Sequence, residues 1–189
     1  MLFSDLASYS TIIESMSPVQ VVKLLNSYLT AMQEIIEEHH GVIFEYIGDA
    51  ILVVFGAPNR LEDHQEHSVR CAIAMRERLE QLNQEWLDEG TARYWKNRGI
   101  DNMNCRIGLH TGSVVAGNLG SDRHMKYGIV GDAVNIAARL EQKNKELGTT
   151  ILMSAEVQGS LPVAMAETLE DQGLMAIKGR EQSKRIYSI

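Results

Sequence analysis

Cysteine is nearly absent: the 189 residues include only Cys71 and Cys105, without paired spacing. That argues against both a disulfide framework and a zinc knuckle, and it suits a reducing, cytoplasmic setting. Cations are in deficit, 18 Lys and Arg against 25 Asp and Glu, for a formal charge of -7. This balance argues against a general nucleic-acid-binding surface, although a few local cations suffice to hold one small polyanion. Long apolar runs are missing too. The best, Ala50 to Phe55, stops at Gly56 and Pro58, far short of the ~20 residues that cross a bilayer, so no membrane contact is expected of this chain. The start lacks the basic, apolar and small-residue succession of a signal peptide. It opens on Leu2-Phe3-Ser4-Asp5, as though cut within a strand, and the expectation is a domain excised from a longer protein. Internal repeats, low-complexity tracts and long linkers are also lacking. The 44% apolar residues suffice for one substantial core, so residues 1–189 are expected to form a single domain.

What is there alternates helices with hairpins. Ser17 can cap a helix that Pro18 begins, and Val21, Leu25, Tyr28, Met32 and Ile35 repeat at helical spacing up to Gly41. Two apolar runs, 42–47 and 50–55, flank Gly48-Asp49, a dipeptide suited to a tight hairpin turn. Residues 62–89 read as a second helix with Val69, Ala72, Ile73, Leu79, Leu82 and Trp86 on one stripe. The segment 90–104 is polar and is expected to be a solvent-exposed loop. Strands are expected at 106–110 and 113–116 around Thr111-Gly112, and at 125–130 after a turn-rich stretch 117–123. A helix follows over 132–147, closed by Gly148. Short strands at 150–153, 175–178 and 185–187, with a short helix near 154–160, complete the chain. Hairpins alternating with helices favour an α+β fold, a mainly antiparallel sheet with helices packed on it, over a doubly wound parallel one.

Several residues in this frame have chemistry to offer. Asp5 ends the first strand and Asp49 lies in the hairpin turn; carboxylates so placed can converge on Mg²⁺, or serve only as cap and turn former. After Asp5 and Leu6, the run Ala7-Ser8-Tyr9-Ser10 leads toward a helix, where exposed N–H groups can cradle phosphate oxygens or merely cap. Asn135 and Arg139 are four apart on one helix and share a face. An amide and a guanidinium there can orient a sugar and neutralise charge developing on a phosphate, and the alternative is a solvated face. Lys178, beside Gly179 at a strand end, is placed to reach a triphosphate or to remain a surface lysine.

Read in order, Phe3-Ser4-Asp5-Leu6, Tyr46-Ile47-Gly48-Asp49-Ala50, Gly108-Leu109-His110-Thr111-Gly112, Gly131-Asp132-Ala133-Val134-Asn135-Ile136-Ala137-Ala138-Arg139-Leu140 and Ile177-Lys178-Gly179 resemble the motif series of class III nucleotidyl cyclase catalytic domains. Five motifs in order at compatible spacing are far more specific than any one of them. The resemblance implies a ferredoxin-like core of the class III type and a homodimer with two shared sites. It implies that Asp5, Asp49 and the Leu6 carbonyl hold two divalent ions, Mg²⁺ or Mn²⁺, and that the loop Ala7 to Ser10 binds phosphates. From the other chain, Asn135 would position the ribose, Arg139 would stabilise the transition state and Lys178 would hold the terminal phosphates.

Two positions of the family pattern decide the base, and they are Glu45 and Gly128 here. Adenylate cyclases of the family usually carry Lys at the first, and Asp or Thr at the second. Guanine presents N1–H and an amino group that one carboxylate accepts together, whereas adenine presents a lone pair at N1. The resemblance therefore implies GTP as substrate, as in bacterial, and in particular cyanobacterial, guanylate cyclases. Gly128 replaces the cysteine of many eukaryotic guanylate cyclases, so recognition of guanine O6 is expected to fall to a backbone N–H or water. An adenylate cyclase with an atypical pocket and an inactive nucleotide sensor are the alternative readings, and an exposed strand position is the alternative for Glu45.

Overall fold

Strand β1 (Leu2–Leu6) alternates buried and half-buried residues, with Leu2, Ser4 and Leu6 on one face and Phe3 and Asp5 on the other, as the two-residue strand period requires. A computed structural model of the chain describes residues 1–176 and 183–189. There β1 lies inside a seven-stranded sheet of order β2-β3-β1-β4-β7-β9-β8. The other strands are β2 (Val42–Ile47), β3 (Ala50–Val54), β4 (Cys105–Leu109), β7 (Ile151–Ser154), β8 (Glu170–Ala176) and β9 (Ser183–Ser188). Neighbours are antiparallel except β4 with β7. The α+β architecture expected from the alternation of hairpins and helices is the one observed.

One sheet face is covered by α2 (Pro18–Glu38) and α3 (His64–Asp88), with α1 (Tyr9–Ile13) and α4 (Arg93–Lys96) beside them. Leu2, Leu6, Ile51, Val53, Ile107 and Leu109 of the sheet form one buried cluster with residues of these helices. The α2 stripe is Leu24, Tyr28, Ala31, Met32 and Ile36, rotated slightly from the expected one. Gln20 Oε1 accepts the Ser17 N–H at 2.8 Å, completing a capping interaction at its start. The opposite face carries α5 (Asp132–Leu147), whose Ala133 and Ala137 pack with Leu52 and Val54, and whose Ile136 and Leu140 pack with Leu152 and Ile186. Helix and sheet approach closely: a Cβ on Gly108 would lie 2.0 Å from the Ala137 carbonyl oxygen. Short helices α6 (Ala155–Gln158) and α7 (Val163–Ala166) connect β7 to β8. No helix among the described residues is long and apolar enough to cross a membrane.

Three expectations are corrected. The strand expected at 113–116 begins only at Val115 and stands outside the large sheet, where both sides of β4 are taken by β1 and β7. Instead β5 (Val115–Ser121) and β6 (His124–Val130) form a separate two-stranded arm. The stretch 117–123 is mostly strand, with the turn confined to Asp122-Arg123. Nor is the segment 90–104 a solvent-exposed loop. It contains α4, and Trp95 is fully buried with its ring edge-to-face on Trp86 at 5.7 Å. Buried Asn83 then clamps Met103, donating to its carbonyl and accepting its N–H, both at 2.8 Å. Lys178 lies outside the described residues.

Candidate active site

The β1–β3 ladder sets Ser4 opposite Ile51, so the end of β1 meets the turn between β2 and β3. The Leu6 N–H donates to Asp49 Oδ2 at 3.2 Å, fixing that side chain beside Asp5. Burial and the adjacent Asp5 carboxyl raise the Asp49 pKa to about 7, because two carboxylates at close quarters resist sharing negative charge. A divalent cation relieves that repulsion. Among the described residues no group of three His, Cys, Asp or Glu side chains is gathered. The pair therefore fits a hard cation that completes its shell with backbone carbonyl, phosphate and water oxygens, as Mg²⁺ commonly does.

The run after β1 turns into α1 through Ser8, which is left-handed at φ 61°. The Ala7 N–H is committed to the Asn104 carbonyl at 2.7 Å, so it has no hydrogen to offer a phosphate. The first bond of the turn runs from the Ile12 N–H to the Ser8 carbonyl at 3.1 Å. The N–H groups of Tyr9, Ser10 and Thr11 precede it and have no intrahelical acceptor. Burial and the nearby Asp49 raise the Tyr9 pKa, which places this turn alongside the two carboxylates.

Glu45 owes its direction to a bulge. Ile43 pairs with Val53, but Glu45 pairs with Leu52, so Phe44 is an extra residue. In unbroken register Glu45 would oppose Ile51 on the face under α2 and α3. The bulge turns it to the other face. There Glu45 and Gly128 line one cavity of about 360 Å³ with Phe44, Leu52, Lys126 and Tyr127. Lys126 Nζ donates to Glu45 Oε1 at 2.6 Å, and Phe44 packs against Tyr127 at 6.0 Å. Gly128 has little spare room, since a Cβ there would meet Leu119 Cδ1 at 3.0 Å.

On α5 the packed residues are Ala133, Ile136, Ala137, Leu140, Glu141 and Asn144. At about 100° per residue, Asn135 and Arg139 fall on the far side of the helix from that face. Among the described residues neither has a side-chain hydrogen bond or ion pair. Asp5, by contrast, lies on the sheet face that α5 covers and accepts from Arg106 Nη2 at 3.1 Å. One chain thus brings Asp5 and Asp49 together, and Glu45 and Gly128 together, but does not bring Asn135 and Arg139 to the carboxylates.

The family model for the adenylate and guanylate cyclase catalytic domain matches residues 1–189. The chain belongs to this family. Adenylate cyclase 1 of Rhizobium meliloti is 34% identical over the whole chain, which spans 27% of that relative's length. The crystal structure of the adenylyl cyclase CyaB from P. aeruginosa is 30% identical with a TM-score of 0.80, covering 99% of this chain and 90% of that one. The guanylyl cyclase Cya2 is 32% identical with a TM-score of 0.79, covering 99% and 88%. Domains of this class are nucleotide-binding, commonly dimeric and generally dependent on divalent metal.

Two neighbours of the expected site residues escape a sequence reading. Lys126 sits two residues before Gly128, yet nothing in its neighbourhood announces a partner 81 residues away. Arg106 precedes the Gly108 motif, and only the strand register sets it opposite Asp5.

Proposed function

We propose that this cyclase domain converts GTP to 3′,5′-cyclic GMP and pyrophosphate as a homodimer. The observation that carries the base assignment is the Lys126–Glu45 pair, 2.6 Å apart, in one cavity with Gly128. The Watson–Crick edge of guanine reads acceptor, donor, donor: O6, N1–H and the amino group. An ammonium beside a carboxylate meets all three, with Lys126 donating to O6 and Glu45 accepting the other two. Lys126 thus replaces the backbone N–H or water expected opposite O6. In the same pose adenine sets its amino donor against Lys126 and its N1 lone pair against Glu45, so the pair loses its complementarity to the base. A lost hydrogen bond to a charged group costs roughly 1.5–3 kcal/mol, or about tenfold to a hundredfold in selectivity.

The remaining roles follow from the chemistry of cyclisation. The ribose 3′-hydroxyl gives up its proton to solvent as its oxygen bonds to the α-phosphorus, the α–β bridging bond breaks and pyrophosphate leaves. Asn135 of one chain orients the ribose and Arg139 neutralises charge on the α-phosphate. Lys178 holds the terminal phosphates, and the Ser8, Tyr9 and Ser10 segment of the other chain faces the triphosphate. Asp5, Asp49 and the Leu6 carbonyl would hold Mg²⁺ or Mn²⁺. When bound, these ions lower the cost of ionising the hydroxyl and of releasing pyrophosphate. The outward face of Asn135 and Arg139 supports a site completed by a second copy.

Relatives named adenylate cyclase favour a second reading, ATP as substrate. Steady-state turnover of GTP and ATP, each with Mn²⁺, tests the two. The expected result is a kcat/KM for GTP at least about tenfold above that for ATP; a preference for ATP overturns the assignment.

A further inference from the structure

Arg106 and Glu141 take no part in the reading above, yet they adjoin its metal-holding carboxylate. Arg106 stands opposite Asp5 in the β1–β4 register and divides its guanidinium between two acids. Nη2 lies 3.1 Å from Asp5 Oδ2, and Nε lies 2.8 Å from Glu141 Oε1. Glu141 projects from the packed face of α5 and is 3% exposed. Burial raises its pKa, and Arg106 opposes that rise. A planar guanidinium can serve two carboxylates in fixed directions, which a lysine ammonium cannot.

The division is unequal. Glu141 receives the shorter bond, while Asp5 receives one N–H on one oxygen and keeps most of its acceptor capacity. Local charge follows the same logic. Three acids, Asp5, Asp49 and Glu141, stand against the single cation Arg106, a surplus of acidic groups that suits divalent cations. Without the Glu141 charge, Arg106 is free to close on Asp5 and compete with the ion.

We infer that Arg106, drawn back by Glu141, is the positioning residue that aims the Asp5 carboxylate and keeps it available to a divalent cation. This rests on Asp5 and Asp49 holding that cation. Glu141 matters as the charge that restrains Arg106, and Arg106 as the fork that fixes the Asp5 oxygens.

Titration with Mn²⁺ alone, followed by loss of the free-ion electron paramagnetic resonance signal, tests this without nucleotide or turnover. Wild type should bind Mn²⁺ and Asp5→Asn should lose it; binding unchanged in Asp5→Asn removes the metal assignment and the inference with it. Given that loss, Glu141→Gln should bind Mn²⁺ about tenfold more weakly, with the relative affinity for GTP over ATP unchanged. Arg106→Lys should weaken Mn²⁺ similarly, and it keeps the test open if Glu141→Gln does not fold. Circular dichroism establishes that each variant is folded. Mn²⁺ affinity within twofold of wild type, or tighter, in the folded variant overturns the role of the pair.

Discussion

Lys126 and Glu45 meet at 2.6 Å although their strands share no backbone pairing, β2 being an edge of the large sheet and β6 part of the separate arm. Both side chains are substantially exposed, where an ion pair adds little stability. The contact therefore matters chiefly for where the two groups point. Lys126→Met is expected to lower kcat/KM for GTP about tenfold while leaving thermal stability and ATP turnover nearly unchanged. Glu45→Lys with Gly128→Asp should go further, weakening GTP use and admitting ATP. Steady-state kinetics with both nucleotides check this, and an unchanged GTP preference in both variants removes Glu45 from base reading.

The placement of Asn135 and Arg139 on the side of α5 away from the sheet predicts complementation. Asp5→Ala and Asn135→Ala chains should each be inactive alone. Mixed in equal amounts and allowed to exchange, they should recover about a quarter of wild-type activity, since half the dimers are mixed and each then has one intact site. Cross-linking reports whether mixed dimers form; no recovery when they do would place all these residues in one chain's site.

Gly108 lets α5 rest on β4, because any Cβ would overlap the Ala137 carbonyl. Gly108→Ala is expected to cost about 1–3 kcal/mol or more through overpacking. Turnover should fall with it, as the helix bearing Asn135 and Arg139 is pushed outward. Denaturant unfolding measures the first and kinetics the second.

His110 is buried and its Nδ1 pairs with Ser154 Oγ at 2.7 Å. Burial lowers its pKa to about 4, against the opposing pull of Glu156. Below about pH 6.5 the unfolded chain takes up a proton that the native chain refuses, so stability falls as pH drops from 6.5 toward 4. The loss is about 3 kcal/mol by pH 4. His110→Gln should flatten this part of the profile, as followed by melting temperature against pH; an unaltered slope would assign the acid sensitivity elsewhere.

The order of motifs and the spacing of apolar residues made the family and the α+β class legible, since both depend on local pattern. Asp49 announced itself through the Gly48-Asp49 turn, and Asn135 and Arg139 through four-residue spacing on a well-marked helix. Glu45 did not. Period-2 patterning cannot say which face a strand residue takes when one extra residue, Phe44, reverses the alternation. Trp95 looked like part of a polar loop because its partner, Trp86, and the clamp on Met103 come from α3.

What the sequence by itself determined is the inventory: two acids at turn and strand end, an amide and a guanidinium one helical turn apart, and a carboxylate in place of a lysine. Helix and strand periodicity, with glycine where backbones turn or crowd, is written residue by residue. Only the tertiary structure decided which of these groups share a space. The bulge brought Glu45 to Lys126, the β1–β4 register brought Arg106 to Asp5, and the packing of α5 turned Asn135 and Arg139 outward. Each depends on a contact between distant segments, and a local pattern holds no record of its distant partner.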